Sequence, residues 1–333
     1  MMRALGRACD THGSIAVVNT RWVGAISRAV LVMMTLAGVV GSWRSSAQAA
    51  CRTTEIATLP LSLKGGHFRV TAAINGHGVD LVVDTGAAVS ALDRKAADRL
   101  QIAVDADRSS TIVGVGGTGR PVATRLARTL TLGALRLENI RFVSGSFGSS
   151  PARPEPIAGI LGADILFRYD VEFDPARHAM ILHRPEGCSG RFLDWGAYDA
   201  VPLQRFYDGS LKRVPVAIDG VSMLALLDTG ATGTVLFRPA VRRLGPAAAP
   251  AKTDRRGLGV GSVAGKTIPM FTHRFASLMV GRDILRSPDL TVANDATMEL
   301  EMLLGLDYLG TRRIWISYAT DQLFIASGTT AAP

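Results

Sequence analysis

The chain has 333 residues, enough for about two domains at roughly 150 residues each, with 47% apolar and 20% charged residues. That balance supplies a core and argues against disorder, while 35 glycines and only 6% aromatics favour a turn-rich β protein over a helical bundle. The net charge of +9 is spread over dispersed Lys and Arg, with no basic stripe interleaved with aromatics to suit a nucleic acid.

Residues 1–28 carry Arg3, Arg7, Arg21 and Arg28 against one acid, Asp10. An apolar run from Ala29 to Val40 follows, and small residues end in Ala47-Gln48-Ala49. These three parts read as a secretory signal spanning 1–49, with cleavage expected after Ala49 and the mature chain periplasmic or secreted. An uncleaved, membrane-tethering anchor is the competing reading, for which the apolar run is short. Cleavage would remove five Arg and one Asp, lowering the net charge from +9 to about +5. It would also leave Cys51 and Cys188, an even pair that is a disulfide candidate in an oxidising compartment. Two unrelated buried thiols are the alternative.

Beyond a short mature N-terminal segment, 50–60, the chain repeats itself. Val79-Asp-Leu-Val-Val-Asp84-Thr85-Gly86-Ala87 is echoed 144 residues later by Met223-Leu-Ala-Leu-Leu-Asp228-Thr229-Gly230-Ala231. Gly76 then pairs with Gly220, Leu92 with Leu236, Arg99 with Arg243 and Gly117 with Gly261. Near the end of each copy, Ile160-Leu-Gly162-Ala-Asp164 matches Leu303-Leu-Gly305-Leu-Asp307 at an offset of 143. A register held this long is a duplication.

Each copy reads as strands. Phe68–Ile74 and Val79–Val83 are joined by an Asn75-Gly76 turn, and Val214–Ile218 and Met223–Leu227 by Asp219-Gly220. Short helical patterns follow at Arg94–Leu100 and Pro239–Leu244. Strands are expected again at Thr129–Leu132, Leu135–Val143, Val171–Phe173 and Met180–Leu182. Their counterparts are Phe275–Val280, Leu290–Val292, Ile314–Ile316 and Leu323–Ile325. The segment 184–205 lacks a period and is expected to link an N-terminal lobe, 61–183, to a C-terminal lobe, 206–327, with a short tail at 328–333. The fold class is all-β: two similar barrel-like lobes with short helices only.

Asp-Thr-Gly after an apolar strand leaves that strand in a tight turn, with the carboxylate held at the mouth of the core. One copy is ordinary turn chemistry. Two copies in duplicated lobes allow a pseudo-twofold axis to bring the carboxylates together, and two such groups share one proton. The ionised one could then act as base on a water while the protonated one polarises a carbonyl, without metal or cofactor. On these residues the chain resembles the retropepsin-like aspartic peptidases, with two lobes fused in one polypeptide as in pepsin. The resemblance covers residues 61–327, and Ala87 and Ala231 match its retroviral form.

The resemblance implies an endopeptidase acting on a peptide or protein substrate, monomeric, with Asp84 and Asp228 catalytic. It implies that Thr85 and Thr229 brace the two active-site loops, which also contain Gly86, Ala87, Gly230 and Ala231. Gly162 and Gly305 would let the chain cross behind those loops, and Asp164 and Asp307 would cap short helices. The glycine-rich segments 112–119 and 257–265 would be flaps over the substrate, through Gly114, Gly116, Gly117, Gly259 and Gly261. Gly114–Gly119 also spells a dinucleotide fingerprint, but Arg120-Pro121 and further β pattern follow where that motif needs a helix. The rival to an enzyme is a catalytically silent duplicated scaffold that binds peptides or envelope proteins.

Overall fold

The computed structural model describes residues 50–114, 117–145, 157–260, 267–293 and 299–328. The expected leader, 1–49, lies outside them. In the first lobe, His67–Ile74 and His77–Val83 form a hairpin closed by Asn75 and Gly76, both at positive φ (50° and 85°). The second lobe repeats this with Leu211–Ile218 and Val221–Leu227 around Asp219 and Gly220 (49° and 81°). Two consecutive residues of positive φ are what a two-residue turn needs to match strand twist, and Asn-Gly and Asp-Gly supply them with least strain.

The strand leading to each Asp-Thr-Gly is buried between neighbours. Val83 lies beside Leu161 of the parallel strand Gly159–Leu161, and Leu227 beside Leu304 of Met302–Leu304. Parallel pairs buried on both faces call for continuous apolar runs, and Leu81, Val83, Leu161, Leu227 and Leu304 are at most 1% exposed. A long hairpin, Ala103–Gly114 with Gly117–Leu132, follows in the first lobe. Arg255–Val260 with Thr267–Arg274 does so in the second. The structure is all-β in two lobes, with short helices such as Arg94–Arg99 and Arg238–Leu244.

The lobes share one antiparallel sheet. Its strands run in the order Tyr198–Pro202, Gln322–Ala326, Ile314–Ser317, Asp170–Asp174, Ala179–Glu186 and Arg52–Lys64. The seam is the pairing of Val171, Glu172 and Phe173 with Ile316, Trp315 and Ile314.

Three segments differ from the sequence reading. The 50–60 stretch is not a separate segment, because Arg52–Pro60 pairs with Ala179–Glu186 as the outer strand of the shared sheet. The expected linker is largely structured: the strand from Ala179 runs on to Glu186, and Tyr198–Pro202 pairs with Gln322–Ala326. The single strand expected over Phe275–Val280 starts at Ser277, since the chain turns at Phe275, which is 1% exposed and donates its N–H to Pro288 O at 3.0 Å. Cys51 and Cys188 are joined in a disulfide, Sγ–Sγ 2.09 Å.

Candidate active site

Each lobe delivers one acidic loop to the middle of the molecule. Asp84 N donates to Leu161 O at 3.0 Å and Asp228 N to Leu304 O at 3.1 Å, so both leave their strands at the same point. Each carboxyl then ties its own loop. Asp84 Oδ1 accepts from Gly86 N and Ala87 N, both at 2.9 Å, and Asp228 Oδ1 from Gly230 N and Ala231 N, also at 2.9 Å.

Between these loops the threonines cross over. Thr85 N donates to Thr229 Oγ1 and Thr229 N to Thr85 Oγ1, each at 3.1 Å. Thr85 Oγ1 donates to Leu227 O at 2.9 Å and Thr229 Oγ1 to Val83 O at 2.8 Å. Each hydroxyl thus donates once and accepts once across to the other lobe, and both residues are buried.

The glycines set how near the loops come. A Cβ on Gly86 would lie 2.5 Å from Asp228 Cγ, and one on Gly230 would meet Asp84 Cγ closer still. Alanine has no room at either place. The loops therefore pack glycine against carboxyl in both directions, and the side chains of Asp84 and Asp228 hydrogen-bond to each other. Burial, followed by the charge of Asp84, pushes the Asp228 carboxyl well above the ordinary carboxylate range, against the pull of the Ala231 and Gly230 N–H groups. One proton held between two half-buried carboxyls is the consequence.

A second layer fixes the loops from behind. A Cβ on Gly162 would meet Val89 C at 2.7 Å, and one on Gly305 would meet Gly233 C at 2.5 Å, so only glycine lets these chains cross. Asp164 and Asp307 stand at the second helical position rather than at the N-cap, and each accepts from the next helix N–H, Ile165 and Tyr308. The short helices Ala163–Leu166 and Leu306–Leu309 are preceded by Gly162 and Gly305, with no side-chain capping bond. Asp164 Oδ1 also accepts from Ser90 N and Oγ at 2.9 and 2.7 Å. Asp307 accepts from Thr234 N and Oγ1 at 2.8 and 2.7 Å and from its neighbour Tyr308 N at 2.9 Å. Ser90 Oγ in turn accepts from Gly162 N at 2.9 Å, and Thr234 Oγ1 from Gly305 N at 3.2 Å.

Ser90 and Thr234 were not singled out in the sequence. Their signal was present: both carry a hydroxyl, each stands six residues after its aspartate, and they are 144 apart.

Of the expected flap glycines, Gly114 pairs with Gly117 beside the first hairpin's tip, and Gly259 pairs with Ile268 in the second. Gly116 and Gly261 lie outside the described residues.

Residues 70–165 match the family model described as aspartyl protease, and residues 214–311 match the gag-polyprotein putative aspartyl protease model. No curated protein matches the chain. One such domain in each half, on a two-lobed all-β frame, makes the chain a member of the retropepsin-like aspartic peptidases.

Proposed function

We propose that the protein is an aspartic endopeptidase that hydrolyses peptide bonds through Asp84 and Asp228. The observation that carries this reading is that each carboxyl packs against the glycine of the other loop, on loops that the threonines lock together. The two carboxyls share one proton, and with that proton written on Asp228, whose carboxyl burial pushes up, Asp84 is the ionised partner. Asp84 takes a proton from a bound water, and the water oxygen bonds to the carbonyl carbon of the scissile amide. Asp228 gives its proton to the carbonyl oxygen, forming a neutral gem-diol. The proton now on Asp84 passes to the amide nitrogen, the C–N bond breaks, and a diol proton returns to Asp228. The pair ends as it began.

An extended substrate fits the space beneath the two long hairpins, whose strands offer backbone partners to a peptide in β conformation. We place the protein in the periplasm or outside the cell, where the Cys51–Cys188 disulfide is stable.

Asp84→Asn and Asp228→Asn test the reading against a diverse peptide library, with products identified by mass spectrometry. Each is expected to stay folded and to lose about 10²–10⁴-fold or more in kcat/KM. The wild-type rate is expected to trace a bell: falling in acid as both carboxyls are protonated, and falling toward alkali as Asp228 gives up its raised proton. Wild-type cleavage by either variant, or a flat profile, would overturn the assignment. A wild-type protein that binds peptides without products would be a silent scaffold.

A further inference from the structure

A cavity of about 420 Å³ opens in the first lobe between the active-site loop and the long hairpin. Its floor is Val89 and Ser90, five and six residues beyond Asp84 on the same loop, with Asp164 behind them. Thr124 comes from the hairpin strand Gly117–Leu132, and Arg108 from its partner Ala103–Gly114. Arg141, from Leu135–Gly145, completes the wall. An extended peptide lying beneath the hairpin and across the loop would therefore present one of its side chains here.

The cavity's two arginines differ in how they are paired. Arg141 Nε donates to Asp105 Oδ2 at 3.0 Å, so it has a counter-ion. The Asp164 carboxylate is committed to the Ser90 N–H and hydroxyl. Arg108 is exposed, and among the described residues Asp164 is the one acidic group lining the cavity with it. Arg108 thus has no ion-pair partner among the described residues and faces a concave, partly desolvated space, where a carboxylate is worth more than in open water.

In the second lobe the ladder puts Arg255 in the place of Arg108, but there its charge acts on an acid, Asp289. Val143 lies beside Ala91 in the first lobe as Thr291 lies beside Val235 in the second, so Arg141 corresponds to Asp289, two residues earlier on its strand. Asp289 is gripped by Arg274 Nε and Nη2 at 2.8 and 2.9 Å. The duplication has kept the fold and reversed the charge at one end.

We infer that this cavity is a substrate subsite selecting an acidic side chain, Asp or Glu, on the stretch of peptide that crosses the first lobe. The inference rests on the peptidase reading for its location, and Arg108 is its specificity-determining residue. It gives the substrate a polarity: the acidic end lies over the first lobe.

The test uses the full mature chain and a peptide that the wild type cleaves, re-made with Glu, Gln or Lys at each position around the scissile bond. At one position, on one side of that bond, Glu is expected to exceed its isostere Gln about tenfold in kcat/KM, and Lys to fall below both. The Glu advantage should shrink as salt rises. Arg108→Glu is expected to invert the order, with Lys preferred over Glu at that position. Equal rates for the three peptides at every position, or an order unchanged by Arg108→Glu, would overturn the inference. Should no peptide be cleaved, the peptidase reading fails separately. The same fluorescein-labelled peptides are then compared by anisotropy, where equal affinity for Glu and Gln would overturn the subsite and a Glu preference abolished by Arg108→Glu would support it.

Discussion

At the scale of single residues, the centre is built from groups that have no second choice of partner. Thr85 Oγ1 serves two buried backbone groups at once, accepting from Thr229 N and donating to Leu227 O. Removing it strands both, and a buried unsatisfied group costs about 1–3 kcal/mol. Thr85→Val keeps the volume and loses the hydroxyl, so it is expected to lower the urea midpoint by that cost for each stranded group. Cleavage should fall with it, because the loops lose their alignment. Thr85→Ser restores the hydroxyl and should recover most of both. A valine variant as stable as the serine one would mean that water satisfies these groups and that the crossing is not structural. The two Asp-Thr-Gly copies and the crossing glycines were legible because a duplication displays them twice. The role of Asp164 was not. A carboxylate at the second position of a helix looks like a capping group, and only tertiary folding shows that it also accepts from Ser90, 74 residues earlier.

Among elements, legibility follows the distance between partners. Hairpins announce themselves through Asn75-Gly76 and Asp219-Gly220, since turn and both strands lie within one short window. Arg52–Pro60 does not, because its partner begins at Ala179 and its outer residues are exposed. Nothing local distinguishes such a strand from a loose terminus. It is the Cys51–Cys188 disulfide that closes this outer edge, beside the exposed ion pair of Arg52 with Glu186 at 2.9 Å. Exposed pairs contribute little. Closing a loop of 137 residues removes more, up to about 5 kcal/mol of unfolded-state entropy in the chain model. Reductant is therefore expected to lower the wild-type urea midpoint and to speed hydrogen exchange in Arg52–Pro60. The double variant Cys51→Ser, Cys188→Ser should start at the lower midpoint and ignore reductant. A wild-type midpoint indifferent to reductant would show that the strand holds by its hydrogen bonds alone.

On the scale of the whole molecule, the pseudo-dyad runs through the seam of the shared sheet. Val171 pairs with Ile316 and Phe173 with Ile314, while Glu172 faces Trp315, its own equivalent at the repeat offset of 143. The symmetry is broken there by chemistry: an acid stands opposite an indole. Glu172 is 2% exposed and is held by His183 Nε2 at 2.9 Å and by Arg313 Nη2 at 2.6 Å. Burial alone would raise its pKa, but the hydrogen bonds from His183 and Arg313, and their charges, outweigh it and leave the pKa below the ordinary value. The stability it contributes is then present above its unfolded pKa and lost as pH falls through the lowered folded one. Asp228 has the opposite sign. Its raised pKa favours folding while the proton is on, and that advantage is lost as pH rises through the folded value. The aspartate pair thus favours acid while the seam resists it. Arg313→Met tests the seam acids together, because it leaves Glu172 buried with only His183 and takes the guanidinium from buried Asp174, 3.5 Å from Arg313 Nε. It is expected to cost about 3 kcal/mol at neutral pH, the low end for breaking a buried pair, since one partner stays. That penalty should shrink toward acid as the carboxylate takes a proton and no longer needs the guanidinium. Urea unfolding at neutral pH and near the ordinary carboxylate pKa would measure both, and an equal penalty at the two would remove Glu172 and Asp174 as the source of acid sensitivity at the join between the lobes.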